Sequence, residues 1–273
     1  MCVAPRELVV RKSDGEYQRL TLGCGHCYQC AMQYSNMWAL RIIDESRKYD
    51  ATCFVTLTYS PEHLPDGGTL VKRDVQLWLK RLRKAIEPIK IRYYLCGEYG
   101  SKGQRPHYHV IIFGWRPSDL VPLRVSRKGE QLYNSDIIVN TWGKGFVSVG
   151  DLSMRSVKYC AKYLNKLNPV LPGRLKPFVL MSRRPGIGDY VDPSRCKDGV
   201  VYVDGIGYPV PRYYIDRMDR DGYVDVAQGI KDKRVNYSSF FAQFPQNCEK
   251  IEKAIDNLHR KVYIDCAGGD SML

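Results

Sequence analysis

Apolar positions recur along this chain with two different periods, and the switches between them mark the expected elements. Over residues 32–43 the apolar side chains, Trp38 and Ile42 among them, follow a helical spacing that the charged residues from Asp44 to Asp50 end. The run CFVTLTY (53–59) is β-branched and aromatic, and the PEHLPDGG that follows reads as a sharp turn, so a strand is expected there. Helical spacing returns over 71–87, where Val75, Leu79, Leu82 and Ile86 share one side and Pro88 ends the run. Segments 91–98 and 107–113 read as strands, joined by YGSKGQRP in a hairpin-like connection. A further strand is expected over 146–149, paired with 137–140. A helix should then run from Ser153 to about Leu167, stopped by Pro169 and Pro172.

Beyond Gly173 the pattern breaks into loops and brief strands around SRRPGIGDY, VVYVDG and YPVPRYYID, with a last helix expected over 248–262. The alternation of strands and helices predicts an α+β fold with helices packed on a central antiparallel sheet. Three segments follow from this reading: a cysteine-containing arm (1–31), a main domain (32–190) and a C-terminal extension (191–273).

Charge narrows the class of partner. The 273 residues include 42 Lys and Arg against 29 Asp and Glu, a net charge of +13. Such an excess points to a partner rich in phosphate. Much of it falls on the expected helix 71–87, where Lys72, Arg73, Lys80, Arg81, Arg83 and Lys84 face only Asp74 and Glu87. A hydrophobic fraction of 44% excludes a mostly disordered chain. No stretch approaches the roughly 18 apolar residues of a membrane span, and MCVAPRELVVRK puts charges where a signal peptide needs its apolar segment. No membrane partner is expected.

Three groups of residues carry candidate chemistry. His107 and His109 stand one residue apart in RPHYHVIIFG, so on a strand both imidazoles point to one face. A hairpin can bring Glu98 beside them. Two imidazoles and a carboxylate make a weak, exchangeable site for Mg²⁺ or Mn²⁺ that could polarise a phosphate; the same segment also suits the polar face of a sheet. In SMRSVKYCAKYLNKL, Tyr159 and Tyr163 lie about 40° apart around a helix, one turn above the other. Val157, Ala161, Leu164 and Leu167 form its buried stripe, and Arg155, Lys158, Lys162 and Lys166 a basic one. A phenol beside lysines and a polarised phosphate can act as a nucleophile, although tyrosines at this spacing also serve as packing residues with a wet end. Finally, Cys24, Cys27 and Cys30 have metal-ligand spacing. A structural zinc site wants a fourth ligand, for which Cys2, His26 or a distant cysteine are candidates. Cys53, Cys96 and Cys160 fall in apolar segments and are expected to be packing residues.

Three blocks, in order, resemble the HUH superfamily of rolling-circle replication initiators, and specifically the replication initiation proteins of microviruses of the gokushovirus branch. CFVTLTY resembles the first motif, RPHYH the metal motif, and VKYCAKYLNK the tyrosine motif of the two-tyrosine kind. The N-terminal Met-Cys, the CGHCYQC block, the Trp38–Arg41 helix and SRRPGIG (182–188) are similar to this phage branch as well. The resemblance covers about residues 1–190. It implies a palm-like HUH domain that nicks the origin, becomes linked to the 5′ end through Tyr159 or Tyr163, and closes the unit-length circle. It further implies His107, His109 and Glu98 as ligands of a divalent metal and Lys162 as a catalytic neighbour of the tyrosines. Lys158, Lys166, Arg155, Arg183 and Arg184 are the expected DNA contacts. The partners implied are single-stranded and origin DNA with a host helicase and DNA polymerase, in the host bacterium's cytoplasm. The sequence holds no GxxxxGK[ST] helicase motif, so unwinding would fall to the host. The competing reading is a non-catalytic, zinc-stabilised RNA- or DNA-binding module whose sheet exposes Tyr93, Tyr94 and Tyr108 for base stacking.

Overall fold

The computed structural model describes residues 2, 5–11, 15–25, 27–100, 103–126, 129–162, 171–196 and 199–242. In chain order, β1 (Arg6–Arg11) and β2 (Tyr17–Leu22) precede α1 (Tyr28–Ser46), β3 (Thr52–Thr58) and α2 (Lys72–Ala85). Next come β4 (Arg92–Tyr99), β5 (Pro106–Phe113), β6 (Val121–Val125), β7 (Gln131–Asn134), α3 (Asp136–Trp142), β8 (Val147–Gly150) and α4 (Met154–Lys162). The described elements close with β9 (Phe178–Met181), β10 (Val200–Val203), β11 (Ile206–Pro209), α5 (Arg212–Arg220) and α6 (Val224–Ala242). The chain divides into two compact units, one comprising Met1–Arg41 and Asp189–Ile264, the other built on Ile42–Gly188. The residues around the N-terminus and those after 189 therefore share a unit, whereas the sequence alone reads them as separate segments.

The Ile42–Gly188 unit is an α+β fold on a seven-stranded antiparallel sheet of order β6-β7-β8-β3-β5-β4-β9. Because side chains alternate along each strand, the register sorts the sheet into two faces. On one face Cys53, Val55, Leu57, Leu95, Tyr108, Val110, Ile112, Val147 and Val149 form the main core. Helix α2 closes that core with Val75, Trp78, Leu79 and Leu82, and α3 adds Ile138 and Trp142. The opposite face carries Thr56 and Thr58 on β3, His107 and His109 on β5, and Cys96 and Glu98 on β4.

Two expectations need correction, each for a physical reason. Residues 137–140 are not a strand; they lie in α3, and β8 pairs with β3 and β7 instead. Their β-branched side chains favour strand, but capping decides. Ser135 Oγ accepts from Ile138 N at 3.3 Å, Asp119 Oδ2 accepts from Ile137 N at 2.8 Å, and Gly143 ends the helix in the left-handed region. The first long helix also runs past its expected end into Asp44 and Glu45, because those charges are buried rather than solvated. Glu45 is 1% exposed, accepts from Arg92 Nε at 2.7 Å, and accepts from Gly188 N at 2.8 Å. The arm contains a β-hairpin, β1–β2. The helix expected over 248–262 lies outside the described residues.

The α3 cap generates a prediction. Partial burial pushes the Asp119 carboxyl up, but the Ser135 hydroxyl and the Ile137 and Asp136 amides outweigh it and hold it below the usual carboxylate range. A carboxyl lowered in the folded state stabilises above its unfolded pKa and loses that contribution as pH falls through the folded one. Asp119→Asn should therefore cost about 1–2 kcal/mol near neutral pH. Denaturant melts at a series of pH values should show the gap to the parent protein closing in acid.

Candidate active site

The histidines sit on β5, the strand with β3 on one side and β4 on the other. Register places Thr58 and Glu98 opposite His107, and Thr56 and Cys96 opposite His109. His107, His109 and Glu98 are 8%, 5% and 2% exposed, so each ionisable group needs a partner inside the fold. The partners come from the neighbouring strands. Thr58 Oγ1 lies 3.0 Å from His107 Nδ1 and Thr56 Oγ1 lies 3.1 Å from His109 Nδ1. With both Nδ1 edges held by β3, each ring presents Nε2 on its other edge. His109 Nε2 meets Glu98 Oε1 at 3.0 Å, and the Phe54 ring stacks on His109 at 5.7 Å between centroids.

This donor set suits a divalent cation. Two imidazole nitrogens of fixed orientation and a carboxylate converge from adjacent strands, and the hydrogen-bonded second nitrogen is what orients a ligating histidine. The trio is open: the two imidazole centroids are 6.4 Å apart. Space beside His107 is limited by Gly100, where a Cβ would come 2.7 Å from Nε2. Sequence reading missed Thr56, Thr58 and Gly100; the alternation of CFVTLTY, with threonines at the same parity as the histidines across the ladder, is the signal that could have found them. Arg105, which precedes the motif, buries a guanidinium Nε that has no hydrogen-bond partner among the described residues.

Helix α4 packs on β5. Val157, Cys160 and Ala161 are fully buried, and Cys160 lies against Cys96, the residue opposite His109. That contact and burial raise the Cys96 thiol pKa well above its ordinary value, burial being the larger cause. Cys53 is likewise pushed up to about 12 by burial. All three are packing residues, as expected. The backbones of Tyr159 and Lys162 belong to this helix, while Tyr163 and Lys166 lie outside the described residues. Arg155 is exposed and meets Glu130 at 3.5 Å, and Lys158 is half-buried on the same helix. Arg183 and Arg184 are exposed on a turn pinned from beneath by Arg92, whose Nη2 donates to the carbonyls of Pro185 at 2.8 Å and Gly186 at 3.0 Å.

The base-stacking platform of the competing reading is absent from this sheet. Tyr94 and Tyr108 are fully buried, because β4 and β5 are covered on both faces. The Tyr108 hydroxyl accepts from Val71 N at 2.8 Å and lies 2.9 Å from that of Tyr59, which donates to Asp74 Oδ2 at 2.7 Å. In the other unit Cys2, Cys24, Cys27 and Cys30 bring their sulfurs within 4.8 Å of one another, and among the described residues they are the only such metal-ligand group. His26 lies outside the described residues.

Comparison with known proteins agrees with this geometry. The family model for replication-associated protein ORF2 and its relatives matches residues 52–168, from the start of β3 through α4. The replication-associated protein VP4 of Bdellovibrio phage phiMH2K is 31% identical over 223 residues, covering 76% of this chain and 70% of the relative. The replication-associated protein ORF2 of Spiroplasma virus 4 is 32% identical over 239 residues, covering 77% and 72%. The replication-associated protein ORF4 of Chlamydia phage 1 is 27% identical over 226 residues, covering 75% and 56%. No solved structure matches the chain significantly. With two such relatives aligned over most of both chains, and with the matched segment holding both the histidine strand and the tyrosine helix, this chain belongs to the family of microvirus-like phage replication-associated proteins.

Proposed function

We propose that this protein initiates rolling-circle replication as an HUH endonuclease that nicks its origin by tyrosine transesterification and later rejoins the unit-length strand. One observation carries the reading: His107, His109 and Glu98 share the sheet face on which α4, the helix bearing Tyr159, packs. The Tyr159 or Tyr163 hydroxyl loses its proton and attacks the scissile phosphorus. The P–O3′ bond breaks, the departing oxygen takes up a proton as a 3′-hydroxyl, and a 5′-phosphotyrosine link keeps the bond energy for rejoining. A divalent cation such as Mg²⁺ or Mn²⁺, held by His107, His109 and Glu98, would polarise the phosphate and offset charge developing on its non-bridging oxygens.

The chain's own cations do the rest. Lys158 and Lys162 counter the phosphate charge beside the tyrosines. Arg105, with its unsatisfied buried donor next to the histidine strand, and Arg155, Lys166, Arg183 and Arg184 hold the DNA backbone. Two phenols one helical turn apart take alternate turns, since the tyrosine already linked to DNA cannot attack the regenerated origin. Origin DNA, with a host helicase and polymerase in the bacterial cytoplasm, completes the reaction. No helix among the described residues is long and apolar enough to cross a membrane.

The decisive experiment incubates the protein with a single-stranded origin oligonucleotide and divalent metal, then looks for a covalent adduct on denaturing gels. His107→Ala with His109→Ala should abolish the adduct while DNA binding persists, because lysine and arginine contacts to phosphate supply much of nonspecific affinity. Adduct formation at the parent rate by that double variant would overturn the reading. Tyr159→Phe and Tyr163→Phe should each keep part of the first cleavage, and the pair together should keep none. Peptide mapping of parent adducts should find DNA on both tyrosines; DNA on one alone, with full circle closure by the other's phenylalanine variant, would remove the alternation.

The threonine supports generate a separate prediction. Removing both hydroxyls in Thr56→Val with Thr58→Val should raise the metal concentration needed for half-maximal cleavage by about 10- to 100-fold. Binding measured in chelator should not move. Cleavage titrations in Mn²⁺ alongside a chelated binding isotherm would show it.

A further inference from the structure

We propose that Cys2, Cys24, Cys27 and Cys30 hold one zinc ion as a tetrathiolate, and that this ion clasps the N-terminal β-ribbon to the start of α1. A tetrahedron with Zn–S bonds of about 2.3 Å has its sulfurs about 3.8 Å apart. Here Cys27 Sγ and Cys2 Sγ are 3.8 Å apart, Cys24 Sγ and Cys30 Sγ are 4.0 Å apart, and all four fall within 4.8 Å. A disulfide would need about 2.0 Å. The spacing therefore fits four separate thiolates around one ion. Backbone amides already point at the sulfurs: Cys24 N donates to Cys2 Sγ at 3.0 Å, and Cys27 N donates to Cys24 Sγ at 3.2 Å. Such bonds offset the charge of metal-bound thiolates. Gly23 leaves room for the group, since a Cβ there would come 2.8 Å from Cys30 Sγ.

The place of each ligand says what the ion does. Cys2 precedes β1, Cys24 follows β2, and Cys30 lies in the first turn of α1. The register pairs Arg6 with Leu22, so Cys2 and Cys24 meet at the open end of the hairpin. Two strands alone are marginally stable in water, and β1 is exposed along its whole length, with Leu8 48% and Val9 56% exposed. Very little burial holds this ribbon. An ion bonded to both of its ends and to the helix supplies the constraint that packing does not, and binding energy at such a site is folding energy. Thiolates select zinc over the hard cations suited to a site of histidines and a carboxylate.

The test uses the full-length protein purified under reducing conditions without chelator. Metal analysis should find one zinc per chain, and a mercurial reagent should release it. The cobalt-substituted protein should show thiolate-to-cobalt charge transfer, and Cys2→Ser, which spares all secondary structure, should lower that band by about a quarter, one ligand in four. Zinc removal or Cys2→Ser should also speed tryptic cleavage at Arg6, Arg11 and Arg19, with the Ile42–Gly188 unit cut no faster. Protein that is metal-free, holds iron, or carries disulfides among these cysteines would overturn the zinc assignment. A Cys2→Ser variant with the parent's charge-transfer intensity would overturn the four-thiolate clasp. None of these readouts depends on DNA cleavage.

Discussion

Strand β5 has to be buried on both faces and paired on both edges, and the arrangement of the Ile42–Gly188 unit follows from meeting that constraint. All eight of its residues are buried. Tyr108, Val110 and Ile112 satisfy one face by joining the core beneath α2. The other face begins with two histidines, which no apolar layer can cover without cost. Thr56 and Thr58 on β3 and Glu98 on β4 remove that cost. The strand order around β5 is thus tied to the chemistry of the face it carries.

This coupling explains how much of the site was legible in the sequence. A two-residue histidine spacing in an apolar run specifies one face of a strand, and the short link to Glu98 specifies an antiparallel neighbour; the β4–β5 ladder has both. The core stripe of α2 was equally legible, since Val75, Leu79 and Leu82 repeat at helical spacing and are all buried. The orienting threonines were hidden because they come from a strand about fifty residues earlier, and only register across the sheet pairs them with the histidines.

The misreadings share one cause: local propensity lost to a partner distant in sequence. Ile137, Ile138 and Val139 look like strand, yet the Asp119 carboxylate and the Ser135 hydroxyl start a helix there. Asp44 and Glu45 look like a solvated end to α1, yet Arg92 arrives from β4 to neutralise Glu45 and continues to the carbonyls of Pro185 and Gly186. The fourth cysteine is the same kind of case. Spacing alone groups Cys24, Cys27 and Cys30, and only the pairing of β1 with β2 brings Cys2 back to them.

On the proposed readings the chain carries two metal sites of opposite character, and donor chemistry keeps them apart. Four sulfurs gathered within 4.8 Å make a closed, soft site whose ion would serve stability. Two imidazoles whose centroids are 6.4 Å apart, with one carboxylate, make an open site that retains positions for water or a phosphate oxygen. A clasp has to be permanent because the ribbon has almost no core of its own. A nicking centre has to exchange ligands, since the phosphate it polarises enters, becomes linked to tyrosine and leaves again in each round. Strong thiolate donors would resist that traffic, and weak oxygen and nitrogen donors could not hold the ribbon. The difference in ligand type is what lets both demands be met in one chain.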